Sequence, residues 1–237
     1  MAPTIVFLHG FTNTGASWDP VIAALGERYR ALAPDIRGHG SAAAARPVTL
    51  EAVVRDVAGL VPGSFDLVGY SMGGRIALHI ALALAPRVRR LMLIGASPGM
   101  ADAAEREARR EADGCLAEEI ERMSIEDFAA RWAATPVLAG QPASAHHDRL
   151  RNEPGGLAAA LRGLGTGALP PLWDRLGELA MPVMLVVGER DEKFRALARQ
   201  MMPAIPDASV VVVAGAGHAV HLEAPGQVAA LIEAGWN

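Results

Sequence analysis

Three residues far apart in the chain have types that together activate a hydroxyl group: Ser71, Asp191 and His218. Ser71 stands in Gly69-Tyr70-Ser71-Met72-Gly73, between an apolar run and a helix-like one. A serine flanked at two residues by glycine suits a strand that turns sharply into a helix. The backbone at the serine is then strained, and its hydroxyl sits over a helix N-terminus, which favours negative charge. Such a hydroxyl becomes reactive only when a base takes its proton. Of seven histidines, His218 lies on the glycine-rich loop Ala214-Gly-Ala-Gly-His218, directly after the last expected strand. His221 is its local rival. His146 and His147 lie in a polar stretch, His79 on a helix, and His39 in a loop near the expected pocket. The acid that orients the base should follow a strand lying between serine and histidine. Gly188-Glu189-Arg190-Asp191 does so, with Asp191 preferred and Glu189 the alternative.

Charge that develops on a reacting oxygen needs backbone N–H donors. The residue after the serine, Met72, supplies one. The loop after the first strand, Leu8-His9-Gly10-Phe11, supplies the other at Phe11. Arg75 is harder to place. It lies one turn beyond Ser71, near the positive end of the helix, where a cation is disfavoured. Side chains on a helix lean towards its N-terminus, which aims Arg75 back at the active-site end. A buried guanidinium needs an anion. An internal carboxylate and a substrate carboxylate are equally good candidates from the residues alone.

The elements that must carry these groups alternate. Short apolar, β-branched runs at Thr4–Leu8, Tyr29–Ala33, Phe65–Val68, Val88–Ile94, Val183–Val187 and Ser209–Val213 read as strands. Helical patterns occupy about 17–26, 50–60, 72–85, 194–202 and 226–235. This is the pattern of an α/β protein: a mostly parallel sheet of about six strands with helices on both faces. The order serine, aspartate, histidine is the order expected for the α/β-hydrolase fold. Between Ile94 and Val183 the alternation stops. Ala101–Met123, Ile125–Ala133 and Leu157–Leu164 read as helices, with turns at Thr135-Pro136, Gly140–Pro142 and Pro154–Gly156. The expected organisation is a core of residues 1–99 and 166–237 with a helical lid, residues 100–165, inserted over the site.

Composition narrows the function classes. Half of the 237 residues are hydrophobic, enough for a sizeable core. A net charge of −4 without a basic block argues against nucleic-acid binding. No apolar run reaches the roughly 18 residues of a membrane span, and the N-terminus does not read as a signal peptide. Cys115 is the single cysteine, so no internal disulfide forms, which fits a reducing cytoplasm. No metal-binding spacing and no nucleotide-binding glycine loop is present, so neither metal nor cofactor is expected. The expected partner is a small anionic molecule.

Several motifs combine into a narrower likeness. They are Ser71-Met-Gly-Gly-Arg75-Ile-Ala-Leu78, Ala96-Ser-Pro-Gly99 followed by Glu105-Arg106 and Arg109…Asp113, Trp132 with Pro136, and Leu150-Arg151-Asn152. Gly188-Glu-Arg-Asp191-Glu-Lys-Phe194 and Gly217-His218-Ala-Val-His221-x-Glu223-x-Pro225 complete the set. From about residue 5 to 226 the chain resembles the MenH family of menaquinone biosynthesis, the 2-succinyl-6-hydroxy-2,4-cyclohexadiene-1-carboxylate synthases. The resemblance implies a carbon–oxygen lyase. Ser71, activated by His218 and Asp191, would remove a proton from a cyclohexene carboxylate, and pyruvate would be expelled. It also implies that Arg75, Arg109 and Arg151 bind the substrate's carboxylates and that Tyr70 and Trp132 line the pocket. Two positions depart from the family pattern. Leu169 replaces a frequent glutamine in Leu169-Pro170-Pro171-Leu172-Trp173, and the first strand begins almost at the first residue, without the two N-terminal strands of the wider fold. A carboxylesterase using Ser71 as a covalent nucleophile, and a non-catalytic ligand-binding protein, are the alternative readings.

Overall fold

The computed structural model describes residues 2–138 and 140–235. Six strands form one parallel sheet: β1 (Thr4–Leu8), β2 (Arg30–Leu32), β3 (Phe65–Tyr70), β4 (Val88–Ile94), β5 (Val183–Gly188) and β6 (Ala208–Val213), in the order β2-β1-β3-β4-β5-β6. The order reverses at β1, so chain segments leaving β1 and β3 diverge and leave a crevice at the carboxyl ends of the strands. Ser71 and His9 follow two of those ends directly.

Alternate strand residues feed two separate cores, as the period of two requires. Val6, Leu8, Leu67, Leu91, Leu93 and Leu185 pack with α2 (Leu50–Leu60), α3 (Met72–Ala83) and α8 (Glu192–Met201) on one face. Ile5, Phe7, Val68, Met92, Ile94 and Val186 pack with α1 (Asp19–Leu25) and α10 (Pro225–Glu233) on the other. The α/β class, the six strands and the helices on both faces are those expected. The bounds of β1 and β4 are those expected, and those of the other four strands differ by one or two residues at one or both ends.

Among the described residues, four α-helices lie between β4 and β5: α4 (Ala103–Glu121), α5 (Ile125–Ala133), α6 (Ala143–Arg149) and α7 (Pro154–Leu164). They share a small apolar cluster, Ala117, Ile120, Phe128, Leu157, Ala158 and Leu161, against which Phe11 and Trp132 pack. Two expectations are corrected here. The sequence pattern gave no helix at 143–149, because Ala-Ser-Ala-His-His-Asp-Arg has no apolar stripe. Pro154–Gly156 is the first turn of α7 and not a separate turn. A proline at the first helical position is preorganised for the helix and lacks only an N–H that would be unpaired there. Among the described residues no helix is long and apolar enough to cross a membrane.

Candidate active site

Ser71 joins β3 to α3 with φ +52 and ψ −111, an unusual conformation for a residue with a side chain. The turn needs its glycines. A Cβ at Gly69 would lie 2.5 Å from the Gly73 carbonyl oxygen, and one at Gly73 would lie 2.3 Å from that of Leu8. The structure brings the three expected residues into one chain of hydrogen bonds. Ser71 Oγ lies 3.1 Å from His218 Nε2, and His218 Nδ1 lies 2.6 Å from Asp191 Oδ2. The carboxylate fixes the proton of the neutral ring on Nδ1, which leaves Nε2 free to take the serine proton. Asp191 also accepts from the Phe194 N–H at 3.3 Å, capping α8, so its position is set by a helix end.

The rival residues have other tasks. Glu189 accepts from the Gly215 N–H at 2.8 Å. His221 is fully buried, stacked between Tyr70 at 4.2 Å and Trp18 at 4.5 Å. Glu223 fastens the histidine loop: its Oε2 accepts from the Gly217 N–H at 2.8 Å and from Arg190 at 2.7 Å. His146 and His147 lie on α6, and His79 is buried on α3. His39 packs edge-on against His9 and Phe11.

The two expected N–H donors occupy suitable elements. Met72 begins α3 immediately after the serine. Phe11 follows Gly10 in a tight turn whose hydrogen bond runs from Asn13 to the Gly10 carbonyl. Among the described residues no protein acceptor is paired with either N–H. Phe11 also touches Trp132, with ring centroids 5.3 Å apart, so the aromatic wall joins the turn to the insertion. Tyr70 is buried beside His218, 5.2 Å between rings.

The arginines divide. Arg75 is 6% exposed and donates to the Leu164 carbonyl at 3.1 Å, while its Nε has no partner. No carboxylate lies within ion-pair distance of it among the described residues. Burial, with the nearby Arg109 charge adding to it, pushes the Arg75 pKa down to about 10. Arg109 therefore shares the neighbourhood of Arg75; its Nε is held by Asp113 at 2.8 Å, and one Asp113 oxygen stays unpaired. The structure does not bring Arg151 to this group. It is exposed and lines an outer cavity with Thr14, Asp19 and Asp35, because the turn after α6 points Asn152 inward and Arg151 outward. The buried cation of this segment is Arg149, at the end of α6, within electrostatic reach of Tyr70, with Gln141 as partner and Nε unpaired. Burial lowers its pKa. Nothing in the sequence separated Arg149 from Arg151, since both follow a stretch with no visible periodicity. Leu169 packs within the core on the α3 face. Among the described residues no three His, Cys, Asp or Glu side chains gather as a metal site.

Burial lowers the pKa of His9, His39, His79 and His221, which makes the fold acid-sensitive. Burial and the neighbouring His9 push His39 to about 3; burial and then His218 push His221 to about 3; burial and then Arg75 push His79 to about 4, all from an ordinary 6.5. The unfolded chain binds these protons more readily than the folded one. Their contribution is complete above about pH 6.5 and is lost as pH falls towards 3, at about 1.4 kcal/mol per pH unit for each histidine. Urea unfolding at pH 7, 6 and 5 should show a steady fall in stability; a flat profile would contradict it.

The chain matches the model of the alpha/beta hydrolase family over residues 5–231. It is 35% identical to the 2-succinyl-6-hydroxy-2,4-cyclohexadiene-1-carboxylate synthase of Salmonella paratyphi C, covering 96% of this chain and 91% of that protein. It is 37% identical to a Bacillus subtilis protein that bears the same name provisionally, covering 93% and 85%. Among solved structures, MenH from S. aureus is similar with a TM-score of 0.93 at 29% identity, covering 99% of this chain and 93% of that one. A malate-bound thermophilic esterase from Thermogutta terrifontis is similar with a TM-score of 0.78 at 27% identity, covering 98% and 88%.

Proposed function

Since the chain belongs to the alpha/beta hydrolase family and, within it, to that of the 2-succinyl-6-hydroxy-2,4-cyclohexadiene-1-carboxylate synthases, we propose that it catalyses their reaction in menaquinone biosynthesis. The substrate is a cyclohexene bearing several carboxylates and an enolpyruvyl group. His218 Nε2 takes the Ser71 hydroxyl proton, with Asp191 stabilising the imidazolium. The serine oxygen removes a ring proton, the electron pair of that C–H bond enters the ring as a new double bond, and the carbon–oxygen bond to the enolpyruvyl group breaks. The leaving enolate collects a proton and becomes pyruvate. The Phe11 and Met72 N–H groups receive the charge that builds on the substrate.

The observation that carries this reading is Arg75: a buried guanidinium one helical turn from the serine, with Asp113 within electrostatic reach but no carboxylate in ion-pair contact among the described residues. Burying a charge without a contacting anion costs several kcal/mol; Asp113 is bonded to Arg109, so two cations share one carboxylate and the pocket has room for a further negative partner. Arg75 and Arg109 hold substrate carboxylates, and Tyr70 and Trp132 shape the pocket wall. Arg149 takes over the place first expected for Arg151. Residues 100–165 act as the lid that closes on the bound anion. The exposed, unpaired Cys115 fits a cytoplasmic enzyme.

The test is release of pyruvate from the enolpyruvyl substrate, read with a lactate dehydrogenase couple. Release should exceed that of Ser71→Ala by at least about 10³-fold. Equal rates would remove the lyase reading, and a burst with an activated ester in its place would identify an esterase, the activity of the Thermogutta neighbour.

A further inference from the structure

The turn that presents the Phe11 N–H is held in a conformation its own sequence disfavours. Asn13 N–H donates to the Gly10 carbonyl at 3.1 Å, with Phe11 and Thr12 at the centre of the turn. Thr12 has φ +69. That value suits the third position of a type II turn, which glycine or asparagine ordinarily fills and a β-branched residue resists. The turn therefore needs outside support.

One support comes from the core. The Ile36 N–H donates to His9 Nε2 at 2.9 Å, so the proton of the neutral His9 ring is on Nδ1, which donates to the Gly10 carbonyl at 2.9 Å. The other support comes from the helical insertion. Asn152 Nδ2 donates to the Thr12 carbonyl at 2.8 Å, and its Oδ1 accepts from the Gly40 N–H at 3.1 Å. Asp148 accepts from the Thr14 N–H at 2.9 Å, from Asn13 Nδ2 at 3.3 Å, and from the Thr14 hydroxyl. Thr12, Asn13, Thr14, Asp148 and Asn152 are all buried, so water does not compete for these bonds. Neither insertion residue is hydrogen-bonded to Ser71, His218 or Asp191.

We propose that Asp148 and Asn152 are positioning residues for the reaction. They hold the strained Gly10–Asn13 turn so that the Phe11 N–H stays aimed at the charge that develops on the substrate. The insertion thus supplies part of the oxyanion apparatus as well as a cover. The role rests on the lyase reading only for the identity of the reaction, because any reaction that builds charge beside Ser71 uses the same donor.

The test uses the full chain with Asp148→Asn, Asn152→Ala and the double change Thr12→Gly with Asn152→Ala. The amide of Asp148→Asn presents N–H groups to a donor set that needs an acceptor. In each single variant kcat for pyruvate release should fall at least about 20-fold while KM moves less than about threefold, because the contact matters only once charge has formed. Thr12→Gly removes the strain that Asn152 restrains and should restore kcat of Asn152→Ala by at least about fivefold. Labelling of Ser71 by a fluorophosphonate, followed by intact mass, should slow in the same two single variants, since attack on phosphorus also charges an oxygen in this hole. Unchanged kcat and labelling overturn the proposal. So does a rise in KM at constant kcat, which would make both residues part of the pocket wall, and so does a failure of Thr12→Gly to rescue, which would mean general loosening. If the unaltered chain releases no pyruvate, the proposed reaction fails, and the ratio of labelling rates still decides the role of the clamp.

Discussion

Arg75→Met should make the protein more stable and nearly inactive. The native guanidinium is buried with one carbonyl partner and no carboxylate. A methionine fills similar volume without desolvating a charge, and such exchanges raise stability by about 1 to 3 kcal/mol. For a chain of this length that corresponds to a rise in Tm of about 3 to 9 °C. The same change removes the cation that meets the substrate, and loss of a desolvated charge contact costs about 10²- to 10³-fold in kcat/KM. Thermal melts of the ligand-free proteins and pyruvate release measure the two halves. A third reading is internal. His79 is held near 4 by burial and next by the Arg75 charge, so its pKa should rise in the variant when followed by NMR. If Tm and activity instead fall together, Arg75 is a structural residue and the anion site lies elsewhere.

Asp191→Asn should leave the fold intact and lower kcat by about 10⁴-fold. The amide oxygen can still cap α8 through the Phe194 N–H. Its NH₂ group, however, donates to His218 Nδ1, where the native carboxylate accepts. The ring is then forced to carry its proton on Nε2, facing Ser71 Oγ, and can no longer act as base. Retained Tm with lost turnover is the expected pair of results. A loss below about tenfold would mean that Ser71 does not depend on this histidine for its proton.

The sheet was legible because each strand is a short apolar run bounded by glycine, proline or aspartate, and Val88–Ile94 and Thr4–Leu8 could be read to the residue. Ser71, Asp191 and His218 were legible for a related reason: each follows a strand end directly, so strand positions located them. The insertion was harder. Helix α6 has no apolar stripe, and its buried Asp148 and Arg149 meet residues 13, 14 and 141, contacts that no local periodicity reports. Missing that helix also hid which of two arginines, two residues apart, points inward. Asp148 and Asn152 were equally invisible, since their partners in the turn at residues 12–14 lie more than 130 residues away in sequence.

The placement of the insertion bears on how such proteins diverge. It leaves β4 and returns to β5, and these strands are neighbours in the sheet, about 4.8 Å apart. A recombination event could therefore replace the whole segment without opening the sheet or moving the serine, aspartate or histidine. It would nevertheless discard Asp148 and Asn152 and leave Thr12 in its left-handed conformation without its neighbour. New specificities gained by trading this segment must then be accompanied by compensating change at residues 12–14. The two stretches, separated by more than half of the chain, are tied into one unit by these hydrogen bonds.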